Sequence, residues 1–138
     1  MICKRAKTVR LTYDNTTVQA VLAGNNITFT TVKDNLIVPY ANGIIYLKSP
    51  GIYKISANFT AIATAIGATE IALMEGNTTV SGARSIGTAA AVGDAVPLAF
   101  NTLLNVFPGQ SGSYAAISFQ AVNSTSIEVA NVLIEKVE

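Results

Sequence analysis

The sequence predicts an all-β domain, an antiparallel sandwich or jelly roll built of many short strands. Three observations lead there. Apolar residues recur with period two, no window carries the 3.6-residue helical period, and turn signals fall roughly every 8–15 residues. The chain has 138 residues, one domain's worth, long enough to bury about two-thirds of its unfolded surface. Half of it is hydrophobic and only 12% is charged, against about 25% in an average globular domain. That excludes a solvated coil and implies that much of the surface meets protein rather than water.

Residues 1–8 form a basic N-terminal arm in this reading, and residues 9–138 the domain. Lys4, Arg5, Lys7 and Arg10 lie in the first ten residues with no acid among them, whereas the rest of the chain is acidic on balance. Such a patch docks on an acidic surface or merely keeps a terminus soluble. Thr8 to Tyr13 alternates instead of running apolar, so no secretory signal follows the basic residues. The expectation is a protein made in a cytoplasm, with Cys3 a reduced thiol.

Further along, Gly24-Asn25-Asn26, Asp34-Asn35, Asn42-Gly43 and Ser49-Pro50-Gly51 mark turns. The clearest strand follows. Tyr53, Ile55, Ala57, Phe59 and Ala61 face one way, and Lys54, Ser56, Asn58 and Thr60 the other. Gly76-Asn77 closes the next apolar run. Ala83 to Val92 has helix-friendly alanines broken by Gly87, Gly93 and Ser/Thr, and is expected to be a loop or a short edge strand. Val96, Leu98, Phe100, Thr102, Leu104 and Val106 line a second strand face; Ala115, Ile117, Phe119 and Ala121 line a third. The uncharged stretch Ala95 to Ile127 contains Asn101, Pro108, Gly109 and Gln120, so it is not a membrane helix.

The closing segment differs. Ile127, Val129, Val132, Leu133, Ile134 and Val137 place apolar groups on both faces of one strand. Such a strand needs cover on both sides. The core supplies one; a neighbouring subunit or the chain's own loops supply the other.

Chemistry is sparse. Histidine is absent, which removes the commonest general base and metal ligand. One cysteine makes neither an internal disulfide nor a cysteine-built zinc site. No Gly-x-Ser-x-Gly, P-loop or dinucleotide fingerprint occurs, and the eight carboxylates form no calcium-loop pattern. No catalytic residue, cofactor or metal is expected. Asn-x-Ser/Thr triplets at Asn15, Asn26, Asn58, Asn77 and Asn123 are read as a by-product of Asn- and Thr-rich strands and turns.

Four motifs in order carry a family resemblance. They are an opening, Tyr13-Asp14-Asn15-Thr16-Thr17 to Ile27-Thr28-Phe29; the turn Ser49-Pro50-Gly51-Ile52-Tyr53; a middle hairpin, Ile71-Ala72-Leu73-Met74-Glu75-Gly76-Asn77; and a closing strand, Ala130 to Val137. Over about residues 9–137 the chain resembles the tumour necrosis factor and complement globular-head superfamily, most closely its bacterial spore-surface and phage members. The resemblance implies a ten-stranded jelly roll that assembles as a homotrimer, with the first, last and two central strands lining the axis. The axis strand here carries Lys54, Ser56, Asn58 and Thr60, where many relatives place larger apolar groups.

These readings give a definite expectation. The chain is a structural trimeric protein on a bacteriophage particle, a head-decoration protein or fibre knob, made in the host cytoplasm and located on the virion surface. Its partners are two further copies of itself and capsid or tail proteins, with no nucleic acid and no membrane. The trimer interface is expected at Ser56, Asn58, Val132, Leu133 and Ile134, and particle docking at Lys4, Arg5, Lys7 and Arg10. The alternative is a receptor- or glycan-binding head on a surface fibre, with Tyr13, Tyr40, Tyr46 and Tyr114 as candidate contacts.

Overall fold

The computed structural model describes residues 7–34, 40–47, 49–106 and 115–137. Ten strands follow in chain order: β1 (Lys7–Val21), β2 (Thr31–Asp34), β3 (Tyr40–Ala41), β4 (Ile44–Leu47), β5 (Gly51–Ile62), β6 (Gly67–Glu75), β7 (Thr78–Ala89), β8 (Ala95–Val106), β9 (Ala115–Ala121) and β10 (Thr125–Lys136). They pair antiparallel into two five-stranded sheets. The first has the order β2-β1-β10-β5-β8 and the second β3-β4-β9-β6-β7. No helix occurs among the described residues.

Period-two alternation decides which side chains meet between the sheets. Tyr53, Ile55, Ala57, Phe59 and Ala61 of β5 are buried, as are Val96, Leu98, Phe100, Leu104 and Val106 of β8. Phe119, on the central strand β9 of the second sheet, is fully buried and collects the aromatics. Its ring centroid lies 5.8 Å from Phe59, 6.1 Å from Phe29 and 6.1 Å from Phe100. Spacings of 4.5–7 Å are those that favour aromatic pairs.

The turn chemistry is legible in the backbone. Asn42 and Gly43 have φ of 51° and 82°, the left-handed pair that a two-residue hairpin between β3 and β4 requires. The Ser49-Pro50-Gly51 turn is tied to its strand by Tyr53. The buried ring sends its hydroxyl back to donate to the Ser49 carbonyl at 2.7 Å.

Three expectations are corrected. First, residues 83–92 are not mainly a loop, nor a short strand: twelve-residue β7 takes in 78–89 and forms the edge of the second sheet. Its glycine has a packing reason. A Cβ on Gly87 would overlap the side chain of Val96 on β8, so the missing side chain lets the two sheet edges approach. Gly87→Ala is expected to cost about 1–3 kcal/mol by overpacking. Adding Val96→Ala should recover part of that loss, read as a non-additive double-mutant cycle in denaturant melts. Second, β1 begins at Lys7, so the last two residues of the anticipated arm are strand: Lys7 pairs with Lys136 and Thr8 with Glu135. Third, Val132 and Ile134 are fully buried between the sheets. In a strand, two neighbours of Leu133 on either side share its opposite face, so neither reaches a partner subunit.

Candidate assembly face and basic edge

The outer face of the first sheet is built by cross-strand register. Four rows run across it. Thr8 of β1 lies opposite Glu135 of β10, which faces Lys54 of β5 and then Leu103 of β8. Arg10, Leu133, Ser56 and Asn101 form the second row, and Thr12, Asn131, Asn58 and Ala99 the third. Asp14, Val129, Thr60 and Pro97 form the last. Over β10, β5 and β8, the last three rows carry no charge. Charge sits around this field, in the Glu135–Lys54 pair of the first row and in Arg10 and Asp14 on β1.

None of the described residues covers this face. Val129, Asn131 and Leu133 are half-buried and Asn58 and Ala99 exposed, and Leu103 is 64% exposed. A hollow of about 440 Å³ opens between Asn58, Thr60, Pro97, Ala99, Val129 and Asn131. Asn131 Oδ1 is buried and has no hydrogen-bond partner, the kind of orphan that native structures seldom leave. Of the five residues expected at an interface, Ser56, Asn58 and Leu133 therefore share this surface, and Val132 and Ile134 do not. Asn131, Val129, Pro97, Ala99 and Asn101 lie on the same face and are not among those named from the sequence. Val129 and Asn131 alternate with Leu133 along β10, whereas only the pairing of β5 with β8 brings Pro97, Ala99 and Asn101 to the same face.

Among the expected docking cations, Lys4 and Arg5 lie outside the described residues. Lys7 stands at the start of β1, and Arg10 is exposed on the outer face. Directly opposite Arg10, on the edge strand β2, is Lys33, a further cation that the sequence reading did not single out. The next pair on the same face of these two strands is Thr12 with Thr31. These four residues line a hollow of about 240 Å³.

The tyrosines do not make a ligand platform among the described residues. Tyr13 is buried and donates to the Thr17 carbonyl at 2.6 Å. Tyr40 packs against the core, and its hydroxyl oxygen accepts from Phe29 N at 2.9 Å. Tyr46 is half-buried, and Tyr114 lies outside the described residues.

Four loops meet at the end of the sandwich far from Lys7 and Lys136. Ser124 Oγ accepts from Ala23 N, and the Ser124 carbonyl accepts from Thr64 Oγ1, both at 3.0 Å. Ala63 N donates to the Asp94 carbonyl at 2.9 Å, and Gly93 N to the Ala63 carbonyl at 2.8 Å. From these tied loops project Leu22, Ile66, Val92 and Val122, between 45% and 72% exposed. Asp94 also lies there, and its carboxylate accepts from Ala90 N and Ala91 N at 3.1 and 3.0 Å.

No group of three or more His, Cys, Asp or Glu side chains converges among the described residues, and no helix there is long and apolar enough to cross a membrane. The one ion pair found among them joins exposed Arg84 to Glu70 at 3.3 Å, worth little in water.

The fold is that of the tumour necrosis factor and complement globular-head jelly rolls. The chain superposes on the globular domain of zebrafish complement 1qA with a TM-score of 0.72 at 8% identity, covering 96% of this chain and 98% of that one. It superposes on the Eiger tumour necrosis factor of S. frugiperda with a TM-score of 0.73 at 7% identity, covering 97% and 94%. A third likeness is to vertex protein P5 of phage PRD1, with a TM-score of 0.56 at 13% identity, covering 96% and 97%. By sequence, no family model and no curated protein matches the chain.

Proposed function

We propose that the chain is a structural head domain that assembles as a homotrimer on the surface of a bacteriophage particle, as a decoration protein or fibre knob. The observation that carries this reading is the open outer face of the first sheet. Its central field is uncharged, partly apolar and holds an unpaired buried oxygen, so copies of the chain meet there without like-charge repulsion. A stable interface buries about 800 Å² per partner, and a five-stranded sheet face is a surface of that order. The likeness to a phage vertex protein supports the particle setting. The lack of a catalytic constellation among the described residues favours a structural role over an enzymatic one. Sedimentation at micromolar concentration is the direct test: a trimer is expected, and a monomer at that concentration sinks the reading.

Docking on the particle is assigned to the basic residues Lys4, Arg5, Lys7 and Arg10. Removing residues 1–6 is expected to leave the melting temperature within a few degrees, because it spares the whole of β1 (Lys7–Val21). The same deletion should weaken binding to an acidic shell, with a difference that shrinks at high salt. Equal occupancy of the particle with and without the segment would reduce it to a solubilising tail.

The four-loop end favours a second reading, a receptor-binding head. Its exposed apolar side chains project from hydrogen-bonded loops, far from the basic residues assigned to docking. Such a patch suits an apolar protein surface better than a glycan, which calls for aromatics with convergent polar groups. Particles carrying Ile66→Ser and Val92→Ser should then adsorb to host cells more slowly at full occupancy. Unchanged adsorption excludes the receptor role for this end.

A further inference from the structure

We propose that Arg10, Lys33, Thr12 and Thr31 form an oxyanion-binding notch on the β1–β2 edge that takes one carboxylate or phosphate group. The notch shares Arg10 with the docking reading and borders the proposed assembly face, but all four residues belong to one chain, so phosphate binding tests it separately from both.

The register places Arg10 and Lys33 directly opposite each other, with Thr12 and Thr31 the adjacent pair on the same face. Side chains in such pairs start about 4.5–5.5 Å apart at Cβ, and like charges directly opposite destabilise a sheet. Neither described acid nearest the pair relieves that repulsion. Glu135 is the diagonal neighbour on β10 and Asp14 lies four residues further along β1, yet neither is within ion-pair distance of Arg10 or Lys33. Two cations facing each other beside two hydroxyls are a donor set awaiting an acceptor. The guanidinium offers a planar fork matched to two oxygens, the ammonium a compact charge, and each threonine a hydroxyl donor.

Size narrows the ligand. The hollow of about 240 Å³ is below the roughly 300–1,000 Å³ of pockets that hold whole small molecules. It suits a single oxyanion group borne by something larger or free in solution. A protein carboxylate and a phosphate share this chemistry, and a bound anion between the two opposed cations would turn like-charge proximity into a stabilising contact.

The test is thermal melting of the full chain at low ionic strength, with inorganic phosphate against sodium chloride of matched ionic strength. Phosphate at about ten times its dissociation constant should raise the wild-type melting temperature by on the order of a few degrees above the chloride control. Lys33→Gln and Arg10→Gln should lose that response and melt no lower than wild type without phosphate, because each removes the repulsion. Lys33→Arg should retain the response. A wild type that melts alike in phosphate and chloride, or Gln variants that respond like wild type, would overturn the notch. A parallel titration with a hexaglutamate peptide separates the sources. Peptide binding lost in both Gln variants assigns a protein carboxylate, whereas the phosphate response without peptide binding assigns a phosphate group.

Discussion

Phe119→Ala should lower the unfolding free energy by about 3–5 kcal/mol, the usual cost of truncating a buried phenylalanine. The residue has no exposed surface and stands where the two sheets meet. Phe59 and Phe100 reach it from the first sheet, and Phe29 from the segment between β1 and β2. Its carbonyl also accepts from Ile27 N at 2.7 Å, which pins that segment to the second sheet. Removing the ring opens a cavity against three others that share its contacts, and a β-sheet backbone has little freedom to collapse into it. Stability of a domain this size is about 5–15 kcal/mol, so the loss is a large share of the total. A fall in melting temperature of roughly 10–20 °C follows. The check is a denaturant melt with an unchanged slope, which locates the effect in stability and not in the compactness of the unfolded chain. A loss below about 1 kcal/mol would show that the aromatic cluster is not the centre of the core.

The fold was legible because period-two alternation is local. The inward residues of β5, β8 and β9 named from the sequence are the buried ones, apart from Thr102, which is half-buried. The misreading of 83–92 has a physical reason. Alanines and glycines on an edge strand carry almost no β-propensity of their own, and Gly87 is small because Val96 approaches it, a long-range fact. The candidate face was half legible. Ser56, Asn58 and Leu133 were reached by alternation, but Val132 and Ile134 were added because a doubly apolar strand does not say which of its faces the core takes. Lys33 became significant only through its pairing with Arg10, since 22 residues separate them in the chain. Interfaces and charge clusters depend on strand order, and strand order is set by the whole chain.

Ile134→Asp and Leu133→Asp should give opposite outcomes although the two residues are adjacent. Ile134 is fully buried, paired with Val9 on one side and Ile55 on the other. An aspartate there places a carboxylate among aliphatic side chains with no cation to meet it. The cost is several kcal/mol whether the group stays charged or takes a proton, so this variant should fail to fold or aggregate. Leu133 lies on the outer face between Arg10 and Ser56 and is half-buried in the single chain. An aspartate there remains hydrated in the isolated chain and lies beside a guanidinium, so the fold should persist with a strand-dominated circular dichroism spectrum. In the proposed trimer the same carboxylate is carried into a partner and repeated in every copy, which costs desolvation and like-charge repulsion together. Leu133→Asp should therefore sediment as a folded monomer at concentrations where the wild type is a trimer. Leu133→Ala, which removes apolar area without adding charge, should weaken the trimer less. A folded trimer of Leu133→Asp would move the interface off this face. A wild type already monomeric would instead refute assembly itself, leaving the sheet face open for a different protein.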